Sequence, residues 1–205
     1  MPVTNHQEEE EAGVQPLKST PISVLYVDDE EVLLDIGKAF LEKSGEIRVD
    51  TTTSAEKALN SPRLSSYDAI VSDYQMPGMD GLEFLQKVRS QYGSIPFILL
   101  TGRGREEVVI KAIESGVDFY LQKGGDPVSQ FAELSDKIMK AIERRRAVTD
   151  LREKSEYLNR IFSSVKEGIA IIDTKTHEIL DVNPAAEVLI GTEKHNIINR
   201  SCNIW

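Results

Sequence analysis

Five side chains that can act together in phosphoryl chemistry follow short apolar runs of the sequence. Asp28 and Asp29 come after the first run and Asp73 after a later one, while Thr101 and Lys123 follow two more. Three carboxylates crowded together repel one another unless a cation lies among them. Oxygen ligands with room for water favour Mg²⁺ over zinc. A lysine and a hydroxyl opposite that cation indicate a bound dianion such as a phosphoryl group.

The apolar runs before these residues have the length and the β-branched content of buried strands. Strands are predicted at 22–27, 47–52, 69–72, 96–100 and 117–121. Helices are predicted at 30–43, 54–59, 81–90, 106–115 and from 129 onward. This alternation predicts an α/β domain with a doubly wound, five-stranded parallel sheet. Ligands of such folds bind beyond the carboxyl ends of the strands, so we expect the five side chains to converge at one edge.

The composition indicates which kinds of partner and which cellular compartment are expected for this chain. A formal net charge of -10 and a pI of about 4.9 disfavour direct binding of nucleic acid. Arginines 144 to 146 are the one basic cluster, and we read them as a solvated helix face. The single cysteine, Cys202, excludes an internal disulfide. No apolar run approaches a membrane span, and no secretory signal begins the chain, so we expect a cytoplasmic protein without membrane contact.

The first segment, 1–20, is polar and carries four consecutive glutamates at 8–11. Such a stretch buries too little apolar surface to offset the entropy lost on ordering. We therefore expect a disordered acidic tail.

Four segments resemble the receiver domains of two-component response regulators. They are VLYVDDE at 24–30, DYQMPGMDG at 73–81, TG at 101–102 and YLQK at 120–123. The resemblance covers residues 21–146 and implies a flavodoxin-like receiver fold. It also implies that Asp73 is the phosphoacceptor, that a sensor histidine kinase is the donor, and that Mg²⁺ is the cofactor.

The same resemblance implies a role for each site residue. Asp29 and Asp73 are expected to bind Mg²⁺ directly, together with the backbone carbonyl of Gln75, and Asp28 to support the ion mainly through water. Thr101 and Lys123 are expected to bind the phosphoryl oxygens. On activation, the Thr101 hydroxyl is expected to move toward the phosphoryl group. The aromatic ring at Tyr120 then swings inward as the second half of the switch.

The sequence departs from the usual receiver pattern in one loop. Receivers usually have a proline after the lysine, whereas Gly124 and Gly125 follow Lys123 here. We expect a looser loop without the cis peptide bond that such a proline often carries. Gln75 lies where receivers vary, and its side chain is a candidate for tuning the lifetime of the phosphoryl group.

The last receiver helix is predicted to continue as a helical linker over 147–160. Apolar and small side chains recur there at spacings of three and four, at Val148, Leu151, Ser155, Leu158, Phe162 and Val165. This pattern is typical of a coiled-coil seam. It predicts either a homodimer through the linker or a helix that folds back on its own domain, and we favour the homodimer.

The final segment, 161–205, resembles the beginning of a PAS sensor domain. A strand, a polar turn, a second strand and an Asn-Pro-Ala-Ala helix start follow one another. About 45 residues are too few for a whole PAS fold of roughly 100. We expect an incomplete α+β segment, because two strands without sheet partners are marginally stable.

Two other functions compete with a phosphorylated signalling protein that is not an enzyme. A Mg²⁺-dependent phosphatase of the haloacid-dehalogenase type also has an aspartate nucleophile at a strand end. That family has Asp-x-Asp after its first strand, whereas this strand ends Asp28-Asp29-Glu30. A scaffold that binds partners without phosphorylation is the other alternative, and the intact set of acidic residues, Thr101 and Lys123 argues against it.

Overall fold

The computed structural model describes residues 20–102 and 106–202. Apart from Thr20, the predicted acidic tail lies outside the described residues. The chain forms two compact units that divide between Ile142 and Glu143. Within the described ranges, no helix is both long and apolar enough to cross a membrane.

The first unit is built on a five-stranded parallel sheet, which confirms the predicted fold class. Its strands are β1 (Ile22–Val27), β2 (Ile47–Thr52), β3 (Ala69–Asp73), β4 (Phe97–Thr101) and β5 (Phe119–Gln122). They lie in the order β2-β1-β3-β4-β5, and every neighbouring pair is parallel. Because the order reverses direction at β1, the carboxyl ends of β1 and β3 flank the point where ligands of such sheets bind.

Five helices cover the two faces of this sheet. They are α1 (Glu31–Leu41), α2 (Ala55–Leu59), α3 (Gly81–Tyr92), α4 (Glu106–Glu114) and α5 (Pro127–Ser164). One apolar cluster joins the sheet to α1 and α5, and a second joins the opposite face to α2, α3 and α4. A core on both faces explains why the strands are nearly continuous apolar runs.

Several helix ends follow from local capping. The Ser54 side chain accepts a hydrogen bond from the Lys57 amide, so the predicted cap of α2 is present. Helix α5 begins at Pro127, two residues before the predicted start. The carboxylate of Asp126 accepts bonds from both the amide and the hydroxyl of Ser129, and it satisfies donors that the helix itself cannot.

Strand β5 is shorter than its apolar pattern predicts. It begins at Phe119 rather than at residue 117. The side chain of Asp118 accepts a bond from the Phe97 amide and pairs with Arg89 at 2.9 Å. Its side chain therefore anchors the start of the strand by contacts that do not belong to the sheet ladder.

The second unit contains a hairpin and a short helix after the end of α5. Strands β6 (Ala170–Ile172) and β7 (Ile179–Val182) pair antiparallel, and α6 (Pro184–Ile190) follows them. Ile179, Val182, Ala186 and Ile197 form a small apolar core. The predicted order of strand, turn, strand and helix is present, and the predicted linker 147–160 lies within α5.

Asn183 fastens this second unit together. Its side-chain oxygen accepts bonds from the amides of Ile169 and Ala186, at 2.8 and 2.9 Å. Its side-chain nitrogen donates to the carbonyls of Val165 and Glu167. One fully buried amide thus caps α6 and also holds the chain that leads from α5 into the hairpin.

Candidate functional site

Three aspartates meet at the carboxyl ends of β1 and β3. One carboxylate oxygen from each of Asp28, Asp29 and Asp73 lies within 4.8 Å of the other two. Asp28 and Asp73 are buried, whereas Asp29 is exposed. The sheet produces this cluster because β1 and β3 are neighbours, so their ends share one edge. An all-oxygen donor set that is open on one side fits a hard divalent cation.

Lys123 supplies the positive charge opposite the aspartates. Its Nζ lies 2.8 Å from Asp28 Oδ2 and 2.8 Å from Asp73 Oδ1. Burial by itself lowers the pKa of the Lys123 ammonium, but the hydrogen bonds and charges of the two carboxylates outweigh it and leave that pKa raised. The ammonium therefore stays charged and bridges two buried carboxylates.

Asp73 has a raised pKa in this environment. Burial is the largest cause, the nearby charge of Asp28 adds to it, and the bond from Lys123 opposes it. The lysine alone thus does not fully offset the cost of burying the Asp73 charge. A bound cation would offset the remainder, so the donor set and its electrostatics both fit the Mg²⁺ site that the sequence predicts.

Thr101 and Lys123 are positioned by the strands next to β3. Thr101 ends β4 with its side chain buried, and its carbonyl accepts a 2.7 Å bond from the Lys123 amide. The carbonyl of Leu100 accepts a bond from the Tyr74 amide in the same way. The ladder between strand ends therefore holds Asp73, Thr101 and Lys123 along one edge.

Tyr120 lies on β5 with 45% of its surface exposed. It lines a groove of about 690 Å³ together with Ile113 of α4 and Lys137 of α5. Its neighbour Leu121 is buried in the core, as expected for side chains that alternate along a strand. The structure thus places the predicted switch aromatic in a partly exposed position on the wall of this groove, on the face of the sheet opposite Leu121.

The loop after Asp73 is shaped by close contacts. Gly78 has a φ of +82°, and a Cβ there would lie 2.5 Å from Glu56 Oε1. A Cβ on Gly81 would lie 2.2 Å from the carbonyl oxygen of Asp73. Gln75 lies in this loop with an exposed side chain. Gly81 is therefore required by the close packing of α3 on the backbone of Asp73, whereas Gly78 is favoured by its left-handed backbone conformation.

The loop after Lys123 has a backbone that proline does not adopt. Gly124 and Gly125 have φ values of +119° and +97°, in the region that favours glycine. The Gly124 amide donates a 2.9 Å bond to the Gln130 side chain on α5. The glycines that follow Lys123 thus adopt backbone angles closed to proline, and the loop is bonded directly to α5.

Two contacts at the site were missed by reasoning from the sequence. The phenol of Tyr26 lies 3.4 Å from Asp28 Oδ2, and both side chains are buried. Their spacing of two, across the end of β1, is a signal that could have indicated this contact, since residues two apart in extended chain share a face. The close approach of Glu56, on α2, to Gly78, in the loop after Asp73, joins segments that are distant in sequence, so no local pattern predicts it.

The comparison with family models decides the family. The model of the response regulator receiver domain matches residues 24–139, more than half of the chain, and a PAS domain model matches 156–205. The chain belongs to the response regulator receiver family. Its receiver domain holds the acidic cluster and Lys123, and the PAS match covers the hairpin and α6.

Curated relatives of this receiver protein are named as regulators. Response regulator Rre1 of Synechocystis is 31% identical over 189 residues, which cover 88% of this chain and 80% of that protein. Response regulator SaeR of Staphylococcus aureus is 36% identical over 104 residues, 51% of this chain and 45% of its own length. The transcriptional regulatory protein YvrH of Bacillus subtilis is 33% identical over 112 residues. The chain spans less than half the length of SaeR and YvrH.

Solved structures agree on the receiver fold. A response regulator receiver domain protein from Clostridium thermocellum aligns with a TM-score of 0.56 and 28% identity, covering 62% of this chain and 98% of that one. A structure titled adenylate cyclase from Rhodopirellula baltica aligns with a TM-score of 0.58 and 28% identity over 67% of this chain and 98% of its own. The shared part is the receiver fold.

Proposed function

We propose that this receiver takes a phosphoryl group from a sensor histidine kinase onto Asp73 and relays the signal by a change of conformation. The observation that carries the proposal is the bridge from Lys123 to Asp28 and Asp73, next to the exposed carboxylate of Asp29. This arrangement leaves a nucleophilic carboxylate beside a cation and an open acidic edge. An aspartate is a suitable nucleophile for such a transfer.

The transfer moves one phosphoryl group between two side chains. An oxygen of Asp73 attacks the phosphorus of a phosphohistidine, the new P–O bond forms, and the P–N bond breaks. The imidazole leaves with the electron pair of that bond and takes up a proton. Water later attacks the phosphorus and releases inorganic phosphate, which restores the Asp73 carboxylate.

The remaining site residues stabilise the charge of the transferred group. The ammonium of Lys123 turns from its bridge toward a phosphoryl oxygen, and the hydroxyl of Thr101 donates to another. Asp29 and Asp73, with the carbonyl of Gln75, would hold Mg²⁺, and the ion would supply positive charge beside the phosphoryl oxygens. Both oxygens of Asp28 already accept bonds from protein donors, which supports an indirect role for it.

The output is a conformational change rather than catalytic turnover of a substrate. Movement of Thr101 toward the phosphoryl group vacates space behind it, and Tyr120 turns inward from its exposed position. That motion reshapes the groove between α4, β5 and α5, where Tyr120 forms part of the wall. Because the kinase takes its phosphoryl group from ATP, the cytoplasm is the compartment that we propose.

A second copy of this chain is the partner that we propose for the later part of α5. Val148, Leu151 and Leu158 are 64%, 71% and 63% exposed and follow the predicted seam. A parallel pair of helices would bury these side chains in a coiled coil.

Phosphorylation by a small donor tests the proposal. The full chain is incubated with acetyl phosphate and Mg²⁺, and its intact mass is measured with and without a chelator. We expect one added phosphoryl group that is lost in Asp73→Asn and retained in the control Asp50→Asn, which removes a carboxylate of β2. Unchanged mass with acetyl phosphate and with a cognate kinase would overturn the proposal, and turnover of generic phosphomonoesters would favour a phosphatase.

A further inference from the structure

Tyr26 is a buried titratable residue that the proposed chemistry does not use. It is 1% exposed, and its phenol oxygen lies 3.4 Å from Asp28 Oδ2. Asp28 is itself fully buried. Asp28 comes directly after the end of β1, two residues beyond Tyr26, and extended backbone places side chains two residues apart on the same side. The phenol therefore reaches the acidic cluster from inside the fold.

The phenol shares its acceptor with Lys123. Among the described residues, the side-chain donors to Asp28 Oδ2 are Lys123 at 2.8 Å and Tyr26 at 3.4 Å. The other oxygen, Oδ1, accepts a 3.1 Å bond from the Glu30 amide. Because bonds between hydroxyl and oxygen are usually about 2.5–3.0 Å long, the phenol is the weaker donor to Oδ2 in this state.

The ring of Tyr26 packs closely against Gly37 of α1. A Cβ on Gly37 of α1 would lie 2.5 Å from Tyr26 Cε1 and 2.9 Å from Phe131 Cε1 of α5. The ring therefore fills the space that the missing side chain leaves, and it cannot turn away without moving a helix. Burial, with the charges of Asp28 and Asp73, raises the pKa of the phenol, which therefore remains a protonated donor.

Phosphorylation changes the set of hydrogen-bond donors that contact the Asp28 carboxylate. Once Lys123 turns to the phosphoryl group, Asp28 Oδ2 loses its shorter bond while it remains inside the protein. A buried carboxylate oxygen without a donor is costly. We propose that Tyr26 is a positioning residue whose phenol takes over as the side-chain donor to Asp28 when Lys123 leaves it. This inference rests on the proposed function, since it requires Lys123 to move.

Binding of a phosphoryl analogue separates this role from a structural one. Beryllofluoride with Mg²⁺ is titrated into the full chain, and affinity is measured by calorimetry. We expect Tyr26→Phe to bind it between about threefold and about tenfold more weakly than the unaltered chain, the effect of one lost hydrogen bond. The unliganded variant should keep its urea midpoint, because Lys123 still satisfies Asp28 there.

Tyr67→Phe is the matched control. The Tyr67 hydroxyl donates a 2.8 Å bond to Asp50, another carboxylate of the sheet, outside the acidic cluster. That variant should lose stability without loss of beryllofluoride affinity. Equal affinity of Tyr26→Phe and the unaltered chain would overturn the proposal, and so would an equal loss in Tyr67→Phe.

An NMR measurement on the unaltered chain tests the same proposal without relying on a variant that could fail to fold. With tyrosine labelled by ¹³C at Cζ, the Tyr26 resonance should shift when beryllofluoride binds, because its hydrogen bond shortens. An unmoved Tyr26 resonance at saturation would overturn the hand-over alone. If the unaltered chain fails to bind beryllofluoride, the phosphoryl site itself is wrong, and the hand-over falls with it.

Discussion

The ammonium of Lys123 lies 2.8 Å from Oδ1 of Asp73, the carboxylate that we propose as phosphoacceptor. The same ammonium contacts Asp28 at the same distance, so one cation neutralises part of two buried charges. This pairing makes the lysine a structural element of the site, and we propose that the same ammonium also binds the phosphoryl group. Loss of the lysine should therefore have separate effects on stability and on signalling.

Lys123→Ala should fold but lose about 2 kcal/mol of unfolding free energy in the absence of Mg²⁺, since two buried carboxylates lose their cation. Urea unfolding measures this loss, and added Mg²⁺ should recover part of it. The control Lys140→Ala removes an exposed ion pair with Asp136 and should cost less than about 0.5 kcal/mol. Equal losses of unfolding free energy in both variants would show that the Lys123 bridge stabilises the fold no more than an exposed ion pair does.

The same variant should uncouple phosphorylation from output. Sedimentation of phosphorylated Lys123→Ala should give the same oligomeric state as its unphosphorylated form, because no ammonium follows the phosphoryl group. A change in oligomeric state on phosphorylation of the variant that is as large as the change in the unaltered chain would contradict the proposed role of Lys123.

Gly81→Ala should lower the unfolding free energy by about 2 to 3 kcal/mol, because the new methyl group overlaps the carbonyl of Asp73. It should also slow phosphorylation, since α3 must move away from the nucleophile. Gly45→Ala is the control: its φ of +76° carries a backbone cost of about 1 kcal/mol, but nothing lies near its Cβ. Urea unfolding and the rate of reaction with acetyl phosphate measure the two effects. Unaltered phosphorylation in Gly81→Ala would contradict the close packing at Asp73.

Leu151→Asp and Leu158→Asp should each weaken self-association through α5, because a charge would be buried in the seam. Analytical ultracentrifugation over a range of concentrations measures the dissociation constant. The control Val32→Asp places the same charge on α1, where Val32 is 70% exposed, and should leave association unchanged. A monomer in every variant and in the unaltered chain, with and without phosphorylation, would refute the dimer.

Asn183→Ala should destabilise the second unit by about 2 to 3 kcal/mol, since a buried amide with four bonds to the backbone is lost. Hydrogen exchange at the amides of Ile169 and Ala186 should speed up, while exchange in the receiver sheet is unchanged. Asn159→Ala, at an exposed position of α5, is the control. Unchanged protection at Ile169 would contradict the fastening role of Asn183.

The residues at the strand ends are the features that could best be predicted from the sequence. Asp73 and Lys123 could be placed at one edge because parallel strands order their carboxyl ends without any knowledge of side-chain contacts. The family resemblance then supplied roles for them, which remain predictions. The second strand was predicted with the bounds Ile47–Thr52 that the structure shows, because its ends are marked by turn residues.

Other features depend on tertiary contacts that no local pattern encodes. The start of β5 depends on Asp118 and Arg89, which are 29 residues apart. The ring of Tyr26 occupies the space beside Gly37 that a larger side chain would fill. This contact forms only once α1 has packed on the sheet. Helix α5 begins at Pro127, where the Asp126 side chain caps it, and it extends through the predicted linker to Ser164.

Locating the phosphoryl group on the chain is the most direct test of the central claim. The full chain is phosphorylated with Mg²⁺ and acetyl phosphate, and the acyl phosphate is reduced with borohydride, which converts the modified aspartate to homoserine. Peptide mass spectrometry then identifies the position. We predict homoserine at Asp73 alone; homoserine at Asp28 or Asp29, or at no aspartate of a chain that has gained a phosphoryl group, would contradict the account.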